Sequence, residues 1–449
     1  MDPSKIQLTR RGFIGVSLAG VVTAAAAGCA PFGGGGNAAA TDKFTFSFWG
    51  AGNEKDVVTG AVNSFAKSKS LTAAPMNIDY ANYAAKINAM LAGGTPPDCG
   101  YLLEGMAMQL GEKGQVLTIT DQPAFDSWLP STKQYWSPDG AIAGPPQVVL
   151  MFYSSDAVEA AGVTPPASLG EAWNWDQFVD QCYRLTKDGE GRSPGDAGFD
   201  PAATQQFAVA APTDLFALHA LFKSNGLELF SEDGMECRID SPEAVEVIQN
   251  VADLIFEHRV APKPEQAQSF GASPALLIQS GRVAMAVSGQ WNLLDFGQGS
   301  TPYGIAVLPS YGEQVVSVLG GAYGVFANTK RKADAFEFLN YLGSPEQVEL
   351  YSQGLWMPTE EKYYTEEEYI NQWVNDEVHT SNYRTVALDP MINNAAPYFS
   401  FRVKNFSEIS SVLNGGLTPL FAEESDVPAK LKALAAEVKP LLQGAYVQP

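Results

Sequence analysis

Apolar and polar residues alternate through Lys43-Phe44-Thr45-Phe46-Ser47-Phe48-Trp49-Gly50, the period-2 pattern of a half-buried strand. Over residues 56–67 the apolar positions Val57, Val58, Val62 and Phe65 recur at helical spacing, so a strand, a loop and a helix are predicted in succession. A second helix is predicted over 80–91. It stops at Gly93-Gly94, and Pro96-Pro97-Asp98 then holds the chain extended ahead of an apolar strand over 99–103. Unbroken apolar runs at 148–152, 283–287, 303–308 and 315–326 suit strands covered on both faces. Ser241-Pro242-Glu243 and Ser344-Pro345-Glu346 each offer a capping hydroxyl, a first-turn proline and an acid matched to the helix dipole. They predict helices over 244–258 and 347–353. Trp173 and Trp175 are read as packing on the entry of a helix near Asp176, Glu366-Glu367-Glu368 as a solvated helix face, and 428–442 as an amphipathic helix. This alternation gives an α/β fold with parallel sheets.

The first forty residues break the pattern. Arg10-Arg11 precedes an Ala-rich apolar run over 13–27, about fifteen residues, short of the roughly 20 that span a membrane. Residues 1–28 are read as a signal peptide. Ala26-Ala27-Gly28-Cys29 resembles a bacterial lipobox, with Ala26 where leucine is usual, so Cys29 is the expected lipidation site and 29–42, with Gly33 to Gly36, a flexible tether. The paired arginines with Phe13 resemble a Tat signal; Sec export is the alternative. The expected location is outside the cytoplasm, anchored to the cell membrane through Cys29.

Roughly 400 residues remain beyond the tether, enough for two or three domains. The formal charge of −22, from 28 Lys plus Arg against 50 Asp plus Glu, opposes binding to nucleic acid or to an anionic surface through a basic face. It favours a neutral or cationic partner. Cys99, Cys182 and Cys237 are too few and too far apart for a disulfide framework, and are read as small thiols with at most one bridge. No CxxC pair or HExxH helix offers a metal site, and His219, His258 and His379 are scattered. GxSxG, Walker and dinucleotide fingerprints are missing too, and no cofactor is expected.

The order of motifs resembles one family over nearly the whole mature chain: the extracellular solute-binding proteins of carbohydrate ABC importers, the maltodextrin-binding class. The resemblance rests on Tyr83-Ala84-Ala85-Lys86-Ile87 running to Gly94-Thr95-Pro96-Pro97-Asp98, on Asp139-Gly140 to Pro145, and on Phe152-Tyr153-Ser154-Ser155-Asp156 with Ala161-Gly162-Val163. Gly281-Arg282-Val283-Ala284-Met285-Ala286-Val287-Ser288-Gly289-Gln290-Trp291 is its most specific stretch, and Gly320-Gly321 with Ala335-Phe336-Glu337-Phe338-Leu339 follows. Ser154 stands where the family usually has Asn. The resemblance implies a two-lobed periplasmic-binding-protein-like fold with a hinge and a central ligand cleft. Lobe 1 would take 43–146 and 319–375, and lobe 2 would take 147–318 and 376–449. Crossings would fall at 144–149, 315–320 and 373–380. The implied partners are a sugar or oligosaccharide and the permease subunits of an ABC transporter, met by a monomer.

Sugars present apolar faces and hydroxyl edges, so aromatic, acidic and amide side chains near the implied cleft are the candidates. Trp291, after a strand and a glycine, leads; the alternative is a plug at the lobe edge. Trp49 ends the first strand and could equally be core, and Asn53 lies in the loop beyond it. Glu104 follows a strand at its carboxyl end, where a crevice lies in open sheets, or is a solvated loop acid. Gln147 beside the first crossing, Asp214 ahead of Leu215-Phe216, Tyr323 after Gly320-Gly321 and Trp356 in a loop complete the central set, with a strand edge and a helix cap as alternatives for Gln147 and Asp214. Tyr398 and Arg402 come from a late segment in which Phe399 or Phe401 could take the aromatic role. Other readings are a binding protein for another solute such as a phosphorylated polyol or an iron chelate, a secreted lipoprotein glycosidase, and a structural surface lipoprotein.

Overall fold

The computed structural model describes residues 43–271 and 273–446. The twin arginine, Cys29 and the glycine stretch lie outside them. The described residues form two sheets. One is six-stranded, in the order β2-β1-β3-β12-β5-β4. Its strands are β1 (Lys43–Phe48), β2 (Thr72–Asn77), β3 (Cys99–Leu102), β4 (Lys133–Ser137), β5 (Gly140–Ala143) and β12 (Ala322–Val325). The other runs β13-β11-β6-β9-β8-β7, with β10 also on β6. It is built from β6 (Gln147–Ser154), β7 (Lys187–Asp188), β8 (Thr204–Ala210), β9 (Val283–Gly289), β10 (Tyr303–Ala306), β11 (Val316–Leu319) and β13 (Ala395–Pro397).

The sheets are mixed, where all-parallel pairing was expected. β1 pairs parallel with β2 and β3, but β12 runs antiparallel to β3 and β5. The reason lies in the route of the chain. It leaves the first sheet after β5 and comes back as β12, so the returning strand arrives from the opposite end. The apolar run over 315–326 is therefore two strands in two sheets, parted at Gly320-Gly321.

In the first core Phe338 packs edge-on against Phe44 and Phe46, at ring separations of 5.2 and 4.9 Å. Ser47, fully buried, shares a 2.8 Å hydrogen bond with the Tyr83 hydroxyl, which also donates to the Tyr101 carbonyl. The second core gathers Val149 and Met151 of β6 with Val247 and Ile248 of the helix Pro242–Phe256 and Leu413 and Leu417 of the helix Phe406–Ala422. Ser241 caps the former helix as expected, accepting from the Ala244 amide at 3.2 Å. Asn174 and Gln177 form a capping box on the helix Trp175–Leu185, and Trp175 stacks on Tyr311. Cys99 and Cys182 are buried free thiols and Cys237 is half-buried.

The helix expected over 347–353 is a series of turns instead. The Ser344 hydroxyl donates back to the Asn340 carbonyl in the preceding helix, Lys332–Leu342, and so caps nothing ahead of it. Val348, Leu350 and Tyr351 are buried, and the Tyr351 hydroxyl donates to the Leu342 carbonyl. Tertiary packing overrides the local signal.

Two short backbone segments, Gly144-Pro145-Pro146 and Gly320-Gly321, connect the sheets and press on each other. A Cβ on Gly144 would lie 2.2 Å from the Gly321 carbonyl oxygen, and one on Gly320 would lie 2.3 Å from that of Pro145. Residues 373–380 form turns, not a strand: Trp373 donates to the Tyr363 carbonyl, and the Val378 carbonyl accepts from the Tyr303 hydroxyl of β10. Gly320→Ala is expected to cost about 1–3 kcal/mol, because backbone must move to admit the methyl. Gly415→Ala, in an exposed helix position with nothing within 4 Å, should gain roughly 0.5–1 kcal/mol. Urea denaturation of both variants beside the parent checks the pair; equal stabilities would contradict the packing described.

Candidate functional site

A cavity of about 370 Å³ opens where the two crossings meet the sheets. From the first sheet come Trp49 at the end of β1, Tyr101 in β3, Glu104 just after it, and Tyr323 in β12. Gln147 opens β6, and Trp291 follows β9. Their positions follow from strand ends: Trp49, Glu104 and Trp291 come just after β1, β3 and β9, and Gln147 and Tyr323 lie where β6 and β12 begin.

The aromatics form a connected wall. Tyr80 meets Trp49 edge-on at 5.5 Å, Trp49 meets Tyr101 at 4.9 Å, Tyr101 stacks on Tyr323 at 5.6 Å, and Tyr323 meets Trp356 at 6.0 Å. Trp291 stands on the β9 side and is backed by Phe216 at 5.5 Å. It can fold over the strand end only because residue 289 is glycine, since a Cβ there would fall 1.9 Å from the indole.

The loop carrying Trp356 is tied by two amides. Gln147 Nε2 donates to the Leu355 carbonyl at 2.8 Å, and Gln290 Nε2 to the carbonyls of Gly354 and Trp356 at 3.1 and 3.3 Å. Gln290 is fully buried and accepts from the Tyr383 hydroxyl through its own oxygen. Gln147 is satisfied on one side only. Its Oε1 and the Tyr323 hydroxyl are buried without a hydrogen-bond partner among the described residues, while the Tyr101 hydroxyl is directed toward the Glu54 carboxyl. Unpartnered buried oxygens beside a cavity are exceptions to the usual pairing of buried polar groups.

Two carboxylic acids share the wall. Burial holds the Glu104 carboxyl up at about 7, from an ordinary 4.5, although it sits in the first turn of the helix Glu104–Glu112 where the dipole and a backbone amide favour the anion. Desolvation wins. Burial likewise raises Glu54 to about 7, against the opposing influence of the nearby Tyr101 hydroxyl.

The family model for bacterial extracellular solute-binding proteins matches residues 75–349, more than half of the chain. The chain belongs to that family. Among relatives, an arabinooligosaccharide-binding protein of Halalkalibacterium halodurans is 22% identical over 183 residues, 39% of this chain and 37% of that protein, so the match spans little more than a third of the relative. Among solved structures, an ABC substrate-binding protein of Listeria monocytogenes in complex with cycloalternan superposes with TM-score 0.70 at 20% identity, covering 89% of this chain and 98% of that one. A maltose-bound protein of Thermotoga maritima gives 0.69 at 19%, covering 89% and 100%. At these identities the superpositions establish the two-lobed fold.

In this solute-binding protein the cavity brings together six residues singled out from sequence: Trp49, Glu104, Gln147, Trp291, Tyr323 and Trp356. Asp214 caps the helix Leu215–Ser224, accepting from the Ala217 amide at 2.8 Å, and burial raises its carboxyl. Tyr398 lies beyond Phe216, 6.4 Å ring to ring, and its hydroxyl is raised well above the ordinary range by burial and then by Glu104 and Asp214. Asn53 and Arg402 do not line the cavity. Asn53 donates to Gln353, and Arg402 donates to the Ser231 carbonyl beside a separate groove. The displacement of Asn53 has a simple cause: the first helix is Gly52–Ser68, four residues longer at its start than expected, so 53 and 54 are helical neighbours about 100° apart and Glu54 faces the cavity instead. Sequence reasoning missed Glu54, Tyr80 and Tyr101. Tyr101 reads as ordinary core because its ring packs in the core as well as in the cavity wall.

For Glu104 the folded value lies above the unfolded one, so its contribution to stability is full below about pH 4.5 and is lost as pH rises through about 7. Glu104→Gln should therefore match the parent in melting temperature near pH 5 and exceed it by a few degrees near pH 8. Thermal denaturation across that range checks the sign; a variant less stable at pH 8 would contradict it.

Proposed function

We propose that the protein captures a sugar or oligosaccharide in this cavity outside the cytoplasm and delivers it to the permease of an ABC importer. The wall of five aromatics from Tyr80 to Trp356, with the acids Glu54 and Glu104 and the amide of Gln147 beside it, carries the reading. Such a surface offers stacking for the apolar faces of sugar rings and hydrogen bonds for their edges. The volume lies within the range of small-ligand pockets, roughly 300–1,000 Å³. Relatives and structural neighbours named for oligosaccharide ligands support the class of cargo. In this reading the lobes are 43–146 with 319–375, and 147–318 with 376–449, and they close on the ligand by bending at the crossings. The protein acts by binding alone, as a monomer, with no catalytic residue and no cofactor. Residues 1–28 are its signal peptide, exported by the Tat route, and Cys29 anchors it by lipid to the membrane. Among the described residues no helix is long and apolar enough to cross one.

A thermal-shift screen of the mature chain against mono- and oligosaccharides tests the assignment. A ligand at a hundredfold its Kd should stabilise by about 2.7 kcal/mol. Trp291→Ala should lose most of that shift while keeping the parent's unliganded melting behaviour. No shift with any saccharide would refute the sugar assignment, normal binding by the variant would remove Trp291 from the site, and turnover of a bound saccharide would refute the binding-only role.

A further inference from the structure

The chemistry of the cavity wall is one-sided. Glu54 and Glu104 line it together with Trp49, Tyr80, Tyr101, Trp291, Tyr323 and Trp356, and no lysine, arginine or histidine does so among the described residues. Two half-buried carboxyls without a cation beside them are costly, and desolvation holds both up at about 7. Burial, and then the nearby Glu104 and Asp214 carboxyls, hold the Tyr398 hydroxyl well above its ordinary range, so it stays neutral and brings no positive charge to the acids. Gln147 turns its amide away to Leu355 and leaves its oxygen, an acceptor only, without a partner. Gln147 and Tyr323 are both 8% exposed, so their unpartnered oxygens are shielded from bulk water.

Resting on the sugar-binding reading of this cavity, we propose that the cargo is cationic, an amino sugar or amine-bearing oligosaccharide whose ammonium is received by Glu54 and Glu104 within the aromatic wall. An ammonium brings donors and no acceptor, which matches carboxylates and a bare amide oxygen. Its charge restores the ionised state of both acids, and aromatic faces attract it further. The chain's overall charge of −22 steers a cation inward and repels an anion such as a phosphorylated sugar.

Calorimetric titration at pH 7 with matched pairs tests this: glucose against glucosamine, and chitobiose against its de-N-acetylated counterpart, with spermidine as a cation that is not a sugar. The amine of the better-fitting pair should bind at least about tenfold more tightly, or about 1.4 kcal/mol, and added salt should narrow the gap. In the Glu54→Gln/Glu104→Gln double variant the preference should collapse. Equal or tighter binding of the neutral members would overturn the charge assignment and leave the sugar reading standing. Binding of spermidine alone would keep the charge assignment and overturn the sugar reading. Failure of all five compounds would overturn both.

Discussion

The site depends on three main-chain carbonyls held by two glutamines. Gln147 opens β6 and Gln290 directly follows β9, yet the carbonyls of Gly354, Leu355 and Trp356 they satisfy lie in the loop that completes the aromatic wall. A buried carbonyl without a donor is costly, so the loop has one well-satisfied position. With Tyr383 occupying the Gln290 oxygen, no member of that cluster has freedom to exchange partners. Trp356, then Tyr323, then Tyr101 take their places against it.

The electrostatics of the cavity run against stability. An apolar pair of the same volume in place of Glu54 and Glu104 would remove a burial penalty, so these acids are kept at a cost to the unliganded fold. That is the pattern of a site whose compensation arrives with the ligand. The same logic holds for the free oxygen of Gln147, which a purely structural residue would have paired.

Much of this arrangement was legible in the sequence because it is written in local chemistry. Period-2 aromatics gave β1, proline and serine signals gave the helix Pro242–Phe256, and the glycine that ends β9 pointed to Trp291. What was not legible depended on partners far along the chain. Ser344 has the same local signal as Ser241 but is engaged by Asn340, and a helix start misplaced by four residues exchanged Glu54 for Asn53. Tyr101 carries a ring that belongs to the core and to the cavity wall at once, a double role no pattern of hydrophobicity can express. Arg402 is drawn to a carbonyl near Ser231, a contact across 171 residues.

The crossings between the sheets are built almost entirely of main chain. Gly144 and Gly320 lie against the carbonyls of Gly321 and Pro145 with no room for a side chain, while the cavity is lined by the side chains of Trp49, Trp291, Trp356 and their neighbours. Pivot and palate are thus separate inheritances. A descendant can re-line the cavity for a new cargo by exchanging side chains, with the mechanics left untouched, and a substitution that damages the pivot damages it for every cargo alike.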